Sequence, residues 1–259
     1  MRAVACEFAF WSLVLASSGV AGQEAEQRES FLLRAEVVDK EVISSGITLP
    51  QAVRLELGGS RRRAVFKSAE VYFRNQNISI AGELQKGLHD SWKFEVAAYQ
   101  LDRLLGLGMV PVTVARKIGG HEGALIDWVE DVAPEFDTSP EGFDMAAWEK
   151  EVARVWLFDY LAYNIDRTPD NLLVTSDFQV RLIDHSRAFQ RFLIPMRPLT
   201  RFPRQVMERL RGASQEEFRG VLGPYLTDEE MEAFLERRKR LLARVDRLLA
   251  SRPESEVYF

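Results

Sequence analysis

Three side chains between residues 158 and 189 could together do chemistry on a phosphate: Asp166, Asn171 five residues further on, and Asp184 at the end of an apolar run. Phosphoryl transfer asks for an acceptor that orients an attacking hydroxyl and takes its proton. It also asks for oxygen ligands that hold Mg²⁺ against the phosphates. The segment reads FDYLAYNIDRTPDNLLVTSDFQVRLIDHSRAF. Pro169 and Asp170 tighten the loop between Asp166 and Asn171, and a strand end carrying Asp184 can face the same point. Singly, each residue could serve as a turn or cap; their spacing in a helix–loop–strand setting carries the signal.

Those residues need elements to hold them. Trp148, Val152, Val155 and Trp156 mark the inward face of a helix that runs to about Tyr163. Leu172-Leu173-Val174 and Val180-Arg181-Leu182-Ile183 read as two short strands joined by a turn at Ser176-Asp177. A C-terminal helix carries Met231, Phe234, Leu235, Leu241, Leu242, Val245, Leu248 and Leu249 on one stripe. The front half has a different texture. Val53 to Leu57 alternates as a half-buried strand, Gly58-Gly59-Ser60 turns, and Ala64-Val65-Phe66-Lys67 returns. A polar, Gly-containing stretch leads through Gly87 to a helix with Phe94, Ala97, Ala98, Leu101, Leu104 and Leu105 on one face. Gly106 and Gly108 end that helix, and Val110 to Val114 resumes as strand. The expected fold is α+β with two lobes: a mainly β N-lobe over residues 23–126 and a mainly α C-lobe over 127–259. A ligand cleft belongs where they meet, near residues 127–132.

Composition narrows the chemistry. The 259 residues are 46% hydrophobic and 28% charged, enough to bury a core, and the net charge of −5 gives no reason to expect nucleic acid as a partner. The basic runs Arg61-Arg62-Arg63 and Arg237-Arg238-Lys239-Arg240 read as solvated faces. At the N-terminus, Arg2, the apolar run from Phe8 to Ala16 and the small residues Ser17 to Gly22 have the layout of a secretory signal peptide over residues 1–22. The run is too short to span a bilayer. Cleavage would leave an exported chain with no transmembrane segment, and would remove Cys6, the single cysteine. His89, His121 and His185 have no zinc-site spacing, and no G-x-S-x-G elbow offers a nucleophile.

The loop and strand resemble the catalytic and metal-binding loops of the protein-kinase-like superfamily. The wording Asn164-Ile165-Asp166-Arg167…Asn171 followed by Ile183-Asp184 is similar to its atypical branch, which includes four-jointed-type secretory-pathway kinases, HipA-like kinases and type II phosphatidylinositol 4-kinases. The resemblance implies that Asp166 is the catalytic base and that Asn171 and Asp184 hold Mg²⁺ or Mn²⁺. It implies that Lys67 holds the ATP phosphates and is fixed by Glu95, and that the backbone of a link containing Trp128 and Val129 reads adenine. The acceptor would be a hydroxyl on protein, glycan or lipid.

The sequence departs from the common kinase pattern in several places. It has no G-x-G-x-x-G, and Gly58-Gly59-Ser60 is followed by three arginines. Asn164-Ile165 stands before the aspartate in place of His-Arg, His185-Ser186 follows Asp184, and nothing resembles Ala-Pro-Glu. A nucleotide-binding pseudokinase and an AMP transferase are the alternative readings.

Overall fold

Alternating side chains build the front of the molecule. Strands β2 (Gln51–Leu57) and β3 (Ser60–Lys67) both turn apolar residues to one face, and Gly58 and Gly59, at φ 58° and 79°, close the tight turn between them. With β1 (Glu36–Val42), β6 (Thr113–Ile118) and β7 (His121–Asp127) they form an antiparallel sheet in the order β1-β2-β3-β7-β6. The computed structural model describes residues 22–43, 50–80, 82–130, 132–134, 144–176, 178–193 and 199–259. The expected signal peptide lies outside them save for its last residue.

Register decides what this sheet can do. Gln51 pairs with Phe66 and Val42 with Gln51, so the β1–β2 connection sits at the end of the sheet that carries Lys67. The Gly58-Gly59 turn sits at the other end. Seven residues at about 3.3 Å per residue put Ser60 roughly 23 Å from Lys67. That turn is therefore no cover for phosphates at Lys67.

A helix that the sequence reading lacks, α1 (22–34), covers the sheet's outer face. Leu32 and Ala35 share one core with Val53, Leu55, Ala64, Phe66, Val114, Ile118 and Leu125. Arg116 donates to the carbonyls of Leu32 and Ala35, satisfying the helix's orphan acceptors.

The inner side of the sheet meets α2 (Lys93–Leu105), which Gly106 ends in the left-handed conformation. Phe94, Ala97, Ala98, Leu101 and Leu105 are fully buried, as their spacing predicts, but their partners belong mainly to the helical half. The strand expected from Val110 begins only at Thr113. Asp102 accepts the amides of Gly108 and Met109 and shapes the preceding segment as a loop. The polar stretch before α2 is a long hairpin, β4 (Glu70–Ile80) and β5 (Glu83–Ser91), whose strands pair only with each other. Most of β4 is exposed on both faces, so it lacks the two-residue period that announces a half-buried strand.

In the back half, Asp144 caps α3 (Met145–Ala162) by accepting the amides of Ala146 and Ala147. Strands β8 (Val132–Pro134), β9 (Leu172–Thr175) and β10 (Val180–Leu182) make a small sheet below the link. Helices α4 (Arg204–Gly212), α5 (Gln215–Leu222) and α6 (Asp228–Leu249) complete the core around Phe158, Phe189, Phe202, Phe218 and Phe234. The basic run on α6 is not a solvated face throughout. Arg237 is buried, donates to the carbonyls of Leu161, Gln190 and Phe192, and is pushed down to about 9 by that burial. Arg238 donates to the carbonyls of Leu210 and Ala213. Among the described residues, no helix is long and apolar enough to cross a membrane.

Candidate functional site

Strand β3 ends on Lys67, α2 opens with Glu95 in its first turn, and Asp184 follows β10; the fold brings all three to one point. Lys67 Nζ lies 2.6 Å from Glu95 Oε1 and 2.8 Å from Asp184 Oδ1. Glu95 is only 2% exposed, and a buried charge must be paired. Burial works against the Lys67 ammonium, but Glu95 and then Asp184 outweigh it and raise its pKa. Burial likewise pushes the Glu95 carboxyl up, while Lys67 and then His185 hold it well below the usual carboxylate range. Both groups are charged when the cleft is empty.

Asp184 has φ 59°, a left-handed backbone that few non-glycine residues adopt. Its carboxylate is 44% exposed: one oxygen meets Lys67 and the group still faces the cleft. Asn171 stands beside it, because the Ile183 amide donates to the Asn171 carbonyl. The Asn171 side-chain nitrogen donates to the Asp166 carbonyl at 3.3 Å, which leaves its amide oxygen for another partner. An amide oxygen and a carboxylate are hard donors that fit Mg²⁺ or Mn²⁺, with phosphates and water completing the shell. The amide of Asp166 donates to the side-chain oxygen of buried Asn164, which fixes the loop before the carboxylate.

Two residues that sequence reasoning passed over organise this loop. Arg167, its side chain 6% exposed, forms a two-pronged pair with Asp159 of α3, both bonds 3.0 Å, and donates to the carbonyls of Asn171 and Ile183 at 2.8 Å. It also reaches His185 Nε2 at 3.1 Å. A guanidinium only donates, so Nε2 accepts and the ring proton sits on Nδ1, 3.4 Å from Glu95 Oε2. Burial lowers the His185 pKa, more than Glu95 raises it. The His185 amide donates to Glu95 Oε2 as well, at 3.0 Å. The second is Arg187, which joins Asp166 and Asp90. The signal available in the sequence was the pair of arginines adjoining the acidic positions, Asp166-Arg167 and Asp184-His185-Ser186-Arg187.

The link residues sit at the cleft's other end. The Trp128 amide donates to the Arg63 carbonyl at 3.2 Å, so in this state it is not open to a ligand. The Arg63 guanidinium lies 4.4 Å from the Trp128 ring centre and pairs with Glu130. A cavity of about 1470 Å³ borders the link at Arg63, Trp128, Val129 and Glu130 and is also lined by Arg28 of α1 and by Asp102 and Gly106 at the end of α2; Lys67, Glu95, Asp166, Asn171 and Asp184 do not line it. Leu172 and Val174 belong to the helical core, so Leu173 between them turns away from it.

No protein-family model matches the chain, and neither does any curated protein sequence. Solved structures do. A Fam20 protein from hydra, determined with sugar, superposes with a TM-score of 0.62 at 17% identity, over 89% of this chain and 90% of that one. The Golgi casein kinase with Mn and ADP bound gives 0.62 at 14%, over 92% and 79%. The Helicobacter pylori proinflammatory kinase CtkA gives 0.53 at 10%, over 86% and 99%. The chain therefore shares the α+β fold of these solved kinase-type structures.

Proposed function

We propose that the chain is an ATP-dependent phosphotransferase that moves the γ-phosphoryl group to a hydroxyl on a protein, glycan or lipid. The observation that carries this reading is the buried Lys67 ammonium held between Glu95 and Asp184. Kinases bring a strand lysine, its helix glutamate and a metal-binding aspartate together at the phosphates, and the meeting of Lys67, Glu95 and Asp184 supports the same tasks here. The Golgi casein kinase, similar in fold, was solved with Mn and ADP, which supports the same ligands here.

Each residue then has a task. Lys67 neutralises phosphate oxygens at the end of β3, and Glu95 keeps its ammonium aimed into the cleft. Asn171 and Asp184 would hold Mg²⁺ or Mn²⁺, which supplies charge neutralisation on the phosphates when bound. Asp166 orients the acceptor hydroxyl and takes its proton as the oxygen attacks phosphorus. Val129 on the link offers backbone groups to adenine, while Trp128 shapes the cleft entrance. The signal peptide layout supports export to a compartment such as the secretory lumen or periplasm.

Thermal unfolding of the chain from Gln23 onward, with and without Mn²⁺·ATP, tests the site. At a hundred times its dissociation constant a ligand adds about 2.7 kcal/mol, which for a chain of this length is a rise of roughly 5–10 °C. The rise should need both metal and nucleotide and should largely vanish in Asp184→Asn. Phosphate labelled at the γ and at the α position then separates phosphoryl from AMP transfer. No rise with folded wild type would move the reading to an interaction module built on this fold.

A further inference from the structure

Arg187 is the one cation that pairs with Asp166 among the described residues, and its surroundings are built to keep it there. Its Nη1 donates to Asp166 Oδ2 at 3.0 Å and its Nε to Asp90 Oδ2 at 2.9 Å. Asp90, on β5, is 3% exposed, and its other oxygen, Oδ1, is buried without a hydrogen-bond partner. Such a group is costly to bury, and Arg187 is the one cation it pairs with among the described residues.

The backbone around the pair is clamped too. The Ser91 amide donates to the Ser186 carbonyl at 2.8 Å. The Gln190 side chain accepts the His89 amide and donates to the carbonyls of His89, Arg187 and Ala188. The base of the β4–β5 hairpin and the segment after Asp184 are thus tied together on both sides of Arg187.

We propose that Arg187, anchored by Asp90, is a positioning residue for Asp166. By holding Oδ2 it fixes the carboxylate plane and leaves Oδ1 to receive the acceptor hydroxyl. The Asp166 side chain is 42% exposed, and misplacing a reacting group by about 1 Å can cost on the order of 10²-fold in rate. The long hairpin then has a role at the site: its β5 end carries the anchor. This rests on the phosphotransferase reading given above.

The test measures Mn²⁺·ATP turnover with water as the acceptor, beside Mn²⁺·ADP binding by thermal shift, in wild type, Arg187→Met, Arg187→Lys and Asp90→Asn. Arg187→Met should lower kcat about ten- to a hundredfold with the nucleotide KM and the thermal shift within about twofold of wild type. Lysine should restore part of the rate, and Asp90→Asn should fall between. Added to Asp166→Ala, Arg187→Met should cost less than about twofold, since the group it positions is gone. An unchanged kcat in Arg187→Met, or losses that add in the double variant, would overturn the assignment. A wild type that shows no nucleotide shift overturns the phosphotransferase reading and this one with it; a normal shift with an indifferent Arg187 sinks this one alone.

Discussion

Asp166 and Asp102 show how differently two carboxylates behave in one chain. Asp166 is 42% exposed at its side chain and pairs with Arg187, and on the phosphotransferase reading it takes the acceptor's proton. Replacing it with alanine should lower phosphoryl transfer by about 10²–10⁴ while leaving the Mn²⁺·ADP thermal shift in place; loss of both together would count against its role as base. Asp102 is buried on α2, and that burial, partly offset by the amides of Met109, Val110 and Gly108, lifts its pKa from 3.8 to about 6. A carboxyl raised in the folded state favours folding below its ordinary value and loses that contribution as pH rises through 6. Two units correspond to on the order of 2–3 kcal/mol. Urea unfolding between pH 4 and 7 should show that decline, and Asp102→Asn should flatten it. The spacing of Asp166, Asn171 and Asp184 was legible because a loop and a strand end encode it locally. Arg187 was not, because its meaning depends on Asp90, 97 positions away, and no local pattern reports that distance.

Helices and strands decide whether those residues meet. Arg167 ties α3, through Asp159, to the carbonyls of Asn171 and Ile183. Removing one partner of a buried pair strands the other, at a cost of about 3–5 kcal/mol. Arg167→Met should therefore lose that much stability by denaturant titration, far beyond the ±0.5 kcal/mol of an ordinary surface change. Recovery of most of it in Arg167→Met with Asp159→Leu would identify the stranded carboxylate as the cause. The α6 stripe and the β2–β3 hairpin could be read from periodicity because each has one wet face and one dry face, whereas α2 is buried nearly all round and showed itself by its apolar residues. Strand β4 has two wet faces, the buried end of β5 is Leu88-His89-Asp90-Ser91 with three polar residues, and α1 is mostly polar or charged up to Ser30, so none of them carries a clear period. Pairing register, the other part that sequence leaves open, is what sets the Gly58-Gly59 turn at the end of the sheet away from Lys67.

Across the whole molecule, the two-lobed α+β architecture follows from a front half of short alternating strands and a back half of helical stripes. Its likeness to solved kinase-fold proteins at 10–17% identity shows how little sequence that architecture needs. What the halves share is α2. Its charged first turn serves the cleft through Glu95, yet Phe94, Ala97, Ala98, Leu101 and Leu105 are sealed into the same core as α3, α5 and α6. Swinging that helix outward would expose several apolar side chains worth about 1.5–3 kcal/mol each. The off-switch that works by withdrawing the glutamate from its lysine is thus shut out by packing. On the phosphotransferase reading, Lys67 and Glu95 are therefore already engaged before nucleotide arrives.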